Sequence, residues 1–205
     1  MPSPSAISVG IDFDNTIACY DGIFHAAALE KKLIPRGIQE NKKSVRDYLR
    51  SAGAEDAWTE LQGYVYGARM NDVSPFPGAL ECIARLKKKK IPVSIISHKT
   101  RHPYKGKDYD LHAAARKWLQ DRGISMENVF LMETKEGKLE QISRCGCTHF
   151  IDDLPEFLAE PAFPPSAKKL LFSPDPAQNV FLPRDILPFQ TWNEISRFLL
   201  PDDPL

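Results

Sequence analysis

Short apolar runs that alternate with helical patterns constrain this chain more than any other feature. Ile7 to Ile11 is β-branched in character and ends at Asp12, so it reads as a buried strand with polar residues at its carboxyl end. Pro92-Val-Ser-Ile-Ile-Ser97, Asn128-Val-Phe-Leu-Met132 and Thr148-His-Phe-Ile-Asp152 have the same look, and Lys169-Leu-Leu-Phe172 makes a fifth. Between them lie helical spacings. Pro77 is placed as a first helical residue, with Leu80, Ile83, Ala84 and Leu86 following. Leu111, Ala115, Trp118 and Leu119 share one helical face, which Gly123 terminates. A shorter helix covers Glu136 to Arg144, and Thr191-Trp-Asn-Glu194 is a capping box that opens a last helix through Phe198. Strand and helix in alternation predict an α/β fold, a Rossmann-like three-layer arrangement of helices on both faces of a parallel sheet.

Residues 17 to 75 break the alternation with three helical stretches, Gly22 to Leu33, Ser44 to Arg50 and Glu55 to Arg69. Ser44-Val-Arg-Asp47 reads as a capping box. These residues form an inserted α-helical cap subdomain, and Ser74-Pro-Phe-Pro77 is the return linker. The core domain is then 1–16 with 76–205, and the cap is 17–75.

Composition bounds the function. The chain has 205 residues, 42% hydrophobic and 26% charged, enough to bury a proper core. Formal net charge is zero, so no basic field exists to hold nucleic acid. Lys87 to Lys90 closes a helix, where cations suit the dipole. No apolar stretch is long enough to cross a bilayer, and Met1-Pro-Ser-Pro-Ser lacks the regions of a signal peptide. The expected location is cytoplasmic, with reduced thiols among the four cysteines. Cys145-Gly-Cys147-Thr-His149 matches no familiar zinc spacing.

Reactive sites of open parallel sheets lie beyond the carboxyl ends of the strands. There the chain places Asp12-Phe-Asp14-Asn-Thr16, Ser97-His-Lys99, Glu133-Thr-Lys135-Glu-Gly-Lys138 and Asp152-Asp153. Carboxylates gathered in one crevice repel each other unless a cation is present, and an all-oxygen set suits a hard divalent ion such as Mg²⁺.

This order and spacing resembles the haloacid dehalogenase superfamily over essentially the whole chain. An apolar strand followed by Asp-x-Asp-x-Thr matches Asp12, Asp14 and Thr16; a strand ending in Ser or Thr matches Ser97; paired acids match Asp152-Asp153. The third motif is a single lysine, either Lys138 in the helix feeding the fourth strand or Lys135. Residues 17 to 75 sit where that superfamily inserts a helical cap.

The resemblance implies a phosphohydrolase. Mg²⁺ is held by Asp12, the carbonyl of Asp14, Asp153 and, at one remove, Asp152. Asp12 attacks phosphorus and forms an aspartyl-phosphate, Asp14 acts as general acid and base, and Ser97 and Lys138 hold the phosphoryl oxygens. Backbone amides around Phe13 and His98 add donors. Dehalogenating members typically lack the second aspartate, so Asp14 favours phosphoryl transfer. In the cap, Gln62-Gly63-Tyr64-Val-Tyr66-Gly67-Ala-Arg69 is the most suggestive segment for specificity, with Arg69 able to grip a second anion, against the alternative that both tyrosines pack the cap and Arg69 is solvated. The basic loop from His98 and Lys99 to Lys107 follows Ser97 directly; its side chains either reach toward substrate or are simply solvated. Trp58, Trp118 and Trp192 receive no role. The expected partner is a small phosphorylated metabolite, with no nucleic acid and no membrane, and the chain is a monomer or homodimer. A phosphomutase, a nucleotide-specific phosphatase and a non-catalytic binding protein are the competing readings.

Overall fold

Ile11 lies in the middle of a six-stranded parallel sheet, hydrogen-bonded on both sides, in a computed structural model that describes residues 7–175 and 182–202. The reading of Met1-Pro-Ser-Pro-Ser falls outside these residues. Alpha-carbon contacts divide the chain into two units, Met1–Ile17 with Pro75–His98 and Asn128–Leu205, and Ala18–Ser74 with Lys99–Glu127.

The first unit holds the sheet. Its strands are β1 (Val9–Ile11), β4 (Val93–His98), β5 (Val129–Met132), β6 (His149–Asp152), β7 (Lys168–Phe172) and β8 (Ile186–Phe189), in the order β5-β4-β1-β6-β7-β8. The two-residue strands β2 (Ala18–Cys19) and β3 (Ser74–Pro75) pair separately. The chain builds outward from β1 through β4 to β5, then returns to the other side of β1 to continue through β6, β7 and β8. That reversal opens a crevice between β1 and β6, where doubly wound sheets bind ligands. Register makes this exact at the residue level: Ile11 pairs with both Ile95 and Ile151, so Asp12 and Asp152 leave the sheet side by side.

Four helices of this unit flank the sheet: α4 (Ala79–Lys88), α6 (Lys135–Arg144), α7 (Pro155–Leu158) and α8 (Trp192–Leu199). Pro77 stays outside α4, which begins at Ala79 behind Gly78; the φ of 85° at Gly78 turns the chain before the helix starts. Thr191 and Glu194 form the expected capping box of α8. Cys147 is buried in an apolar cluster with Phe150, Phe157, Phe163 and Leu171.

The second unit is helical: α1 (Asp21–Glu30), α2 (Lys42–Ser51), α3 (Glu55–Tyr66) and α5 (Leu111–Asp121). In its core Tyr66 meets Tyr20 and Phe24 edge to face, and Trp58 lies tilted by 33° against Phe24. Asn41, not Ser44, caps α2: the Asn41 side chain accepts from the Ser44 amide at 2.7 Å. Gly63 within α3 and Gly67 directly after it, four residues apart, let the loop before α5 pack against them. A Cβ at Gly63 would lie 2.7 Å from Pro103 and one at Gly67 2.5 Å from Tyr109. Trp118 of α5 donates its indole N–H to the Val73 carbonyl at 2.8 Å, and Gly123 ends that helix at a φ of 75°. Among the described residues no helix is long and apolar enough to cross a membrane.

Candidate functional site

Three strand ends build the site, all within the first unit. Asp12 follows β1 directly, and its amide donates to the Ile151 carbonyl at 2.9 Å, which fixes it against β6. The chain then turns. The Ile17 amide donates back to the Phe13 carbonyl at 3.0 Å, and Asn15 takes a left-handed φ of 58°, a conformation asparagine tolerates. Phe13 itself is buried in the core. Thr16 is fully buried; its hydroxyl reaches Asp153 at a long 3.4 Å, and its carbonyl accepts from the Trp192 indole at 3.0 Å. Trp192 therefore holds the turn carrying Asp14 and Thr16, a role its sequence position did not disclose.

Lys138 enters from the first turns of α6, whose N-cap is Thr134. Its ammonium donates to Asp12 Oδ1 and to Asp152 Oδ2, each at 2.6 Å. All three side chains are almost wholly buried. Lys135 points elsewhere and pairs with Glu160 at 2.7 Å. The Phe157 ring, delivered by the single turn of α7, lies 4.1 Å below the Lys138 ammonium, with Phe150 at 5.5 Å. Pro155 at the first helical position was the signal for α7.

Asp152 spends both oxygens inside the protein: Oδ2 on Lys138 and Oδ1 on the Leu154 amide at 2.9 Å. Asp153 is less enclosed. Asp12, Asp152 and Asp153 each offer a carboxylate oxygen within 4.8 Å of the others. Burial pushes the Asp12 carboxyl up to about 7, with the charges of Asp152 and Asp14 acting in the same direction against Lys138. Burial outweighs the pull of the Lys138 ammonium, so the net shift is upward. Burial also works against the Lys138 ammonium, but Asp12 and Asp152 outweigh it and hold its pKa above the usual lysine range.

Ser97, near the end of β4, is 1% exposed, and its hydroxyl has no hydrogen-bond partner among the described residues. A buried orphan hydroxyl is costly and marks a place for a ligand oxygen. His98, exposed, donates from Nε2 to the Glu133 carbonyl at 3.2 Å. The all-oxygen donor set, its excess negative charge and the raised Asp12 pKa together fit a hard cation. The other two residues singled out for substrate belong to the second unit. There Lys99 is buried with its ammonium 4.4 Å over the Tyr66 ring, and its carbonyl accepts from His112 at 2.7 Å. Arg69 is ion-paired with Glu30 at 2.5 Å and Asp72 at 2.6 Å.

No protein-family model and no curated protein matches the sequence. Solved structures do match. A hydrolase of the haloacid dehalogenase (HAD) superfamily from Ehrlichia chaffeensis is 16% identical over 97% of this chain and 98% of that one, at a TM-score of 0.53. A HAD-family hydrolase from Deinococcus radiodurans R1, solved with bound phosphate and sodium, is 16% identical over 97% of each chain at 0.58. A dehalogenase is 14% identical over 98% and 100% at 0.59. The chain thus has the HAD-like α/β fold, with an aspartate cluster at the carboxyl end of its sheet.

Proposed function

We propose that this chain, built on the HAD-like fold, is a Mg²⁺-dependent hydrolase of small phosphate monoesters that works through a covalent intermediate on Asp12. The observation that carries this reading is the convergence on Asp12: a buried carboxylate clamped by Lys138, with Asp152 and Asp153 oxygens within 4.8 Å. Mg²⁺ held by Asp12, the Asp14 carbonyl and Asp153 would offset the charge of a phosphate dianion so that a carboxylate can approach it. Asp152, whose oxygens serve Lys138 and the Leu154 amide, supports the cluster from behind.

The residues then divide the chemistry. Asp12 attacks phosphorus in line as the ester P–O bond breaks, and Asp14 gives its proton to the departing oxygen. Water next cleaves the aspartyl-phosphate, with Asp14 taking the water's proton, which restores both carboxyls and releases phosphate. The Ser97 hydroxyl, orphaned and buried, donates to a phosphoryl oxygen, and Lys138 balances the charge on Asp12 throughout. Support for phosphoryl transfer over carbon–halogen cleavage comes from Asp14 and from the phosphate bound in the Deinococcus structure. The helical unit takes the part of the substrate-selecting cap that the resemblance implies.

Phosphate release from an aryl phosphate and a metabolite panel, with Mg²⁺ and with EDTA, tests the reading. Metal-dependent release that Asp12→Asn abolishes is the expected result. A folded, Mg²⁺-binding protein that releases phosphate from no substrate overturns it.

A further inference from the structure

We propose that the helical unit carries a second site, for a small monocarboxylate with an apolar body, separate from the acidic cluster. A cavity of about 140 Å³ opens between the end of α1, the outer face of α3 and the loop before α5, and all of its lining belongs to this unit. Leu61 is fully buried at its floor, beside the half-buried Ala57. Tyr64 and Tyr109 form its walls.

Two features fix those walls. The Tyr64 hydroxyl donates to Glu30 at 3.2 Å. Tyr109 packs where Gly67 leaves no room for a side chain, its ring carbon 2.5 Å from where a Cβ would stand. Each tyrosine carries a lysine on its face: Lys31 lies 4.0 Å from the Tyr64 centroid and Lys107 5.5 Å from that of Tyr109. Neither ammonium belongs to an ion pair among the described residues. Neighbouring cations of the unit differ in this: Lys105 pairs with Asp56, Lys117 with Asp121, and Arg69 with Glu30 and Asp72.

Glu60 is the one acid in the lining, so two lysines against one glutamate leave a single positive charge. That balance suits a monoanion better than a phosphate dianion. The size also selects: a volume of roughly 150 Å³ is enough for a benzene-sized body. A carboxylate between the two ammoniums would accept charge-assisted hydrogen bonds while its ring or branched chain lies between the tyrosines.

Titration of the full ¹⁵N-labelled chain with benzoate, in EDTA, tests the site. Saturable shifts of the Tyr64, Gly106 and Tyr109 amides are expected, with benzoate binding at least about tenfold tighter than benzyl alcohol. Lys31→Met and Lys107→Met, both at exposed positions, each weaken benzoate by roughly fivefold or more, whereas Lys105→Met does not. The proposal is overturned if benzyl alcohol, benzylamine or inorganic phosphate binds there as tightly as benzoate. No saturation up to about 20 mM, or wild-type affinity in both lysine variants, overturns it equally.

Discussion

Replacing Lys138 with Met should unfold this protein's balance of charge before it disturbs anything else. Methionine keeps most of the side chain's length against Phe157 and removes only the ammonium, which donates at 2.6 Å to both Asp12 and Asp152. Both carboxylates are 6% exposed or less, so water cannot take the lysine's place. Deleting one member of a buried ion pair costs about 3–5 kcal/mol, because the charge left behind is uncompensated. At roughly 2 kcal/mol per molar urea, this lowers the unfolding midpoint by about 1.5–2.5 M at pH 8.

The pH dependence supplies the internal check. Asp12 already titrates at about 7 with the lysine present, above its unfolded value near 3.8, and losing the ammonium raises it further. Between the two values the folded state binds a proton that the unfolded state does not, so stability falls as pH rises through this window. The deficit of the variant must therefore shrink as pH drops from 8 toward 5.5, and Mg²⁺ should recover part of it at pH 8. Lys135→Met, removing the solvent-exposed partner of Glu160, should leave the midpoint at its wild-type position. Urea titrations of both variants at the two pH values decide the matter. A Lys138→Met midpoint equal to that of Lys135→Met, or a deficit unchanged between pH 8 and 5.5, refutes the reasoning.

Three further outcomes are expected. Because a carboxyl with a pKa of about 7 must lose its proton to bind a cation, Mg²⁺ affinity should be about tenfold weaker at pH 6 than at pH 8; calorimetry showing equal affinity would remove Asp12 from the proposed metal ligands. Gly10→Ala would drive a Cβ to 2.5 Å from the Phe150 ring and 2.8 Å from Cys147 Sγ, so thermal or urea unfolding should show a loss of about 1–3 kcal/mol. Trp192→Phe takes the indole donor from the buried Thr16 carbonyl; a loss of about 1–3 kcal/mol in urea should come with slower turnover, since the turn bearing Asp14 loosens.

Strand ends were legible because a β-branched run that stops at an acid is hard to read any other way, and the acids of β1 and β6 meet where the strand order reverses. The last helix was equally plain from Thr191 and Glu194. Sequence misled where two local signals compete. Ser44 and Asp47 spell a capping box, yet Asn41 sits three residues earlier with an extended backbone and takes the Ser44 amide first. Strand β8 escaped notice because it contains Pro188; as an edge strand it can do without that missing donor. Gly63 and Gly67 interrupt a helical run in the sequence, and their spacing makes a seat for Pro103 and Tyr109. Long-range contacts of that kind leave no local trace, and the same is true of the indole bond from Trp192 to Thr16.

The placing of Lys138 shows how far such contacts reach. Its ammonium is buried, so its position depends on what surrounds it as well as on the two aspartates. Phe157 and Phe150 lie within 5.5 Å of that ammonium, and their rings pack against each other with centroids 6.1 Å apart. Phe150 in turn occupies the space that a side chain at position 10 would need. Gly10 in the central strand thus admits Phe150, Phe150 supports Phe157, and the two rings give Lys138 an apolar bed from which Asp12 and Asp152 are its hydrogen-bonding outlets. A strand glycine ordinarily weakens a sheet. Here it allows a buried cation to be set against the Asp12 carboxylate, which explains why a position with no chemistry of its own bears on the charge of the site.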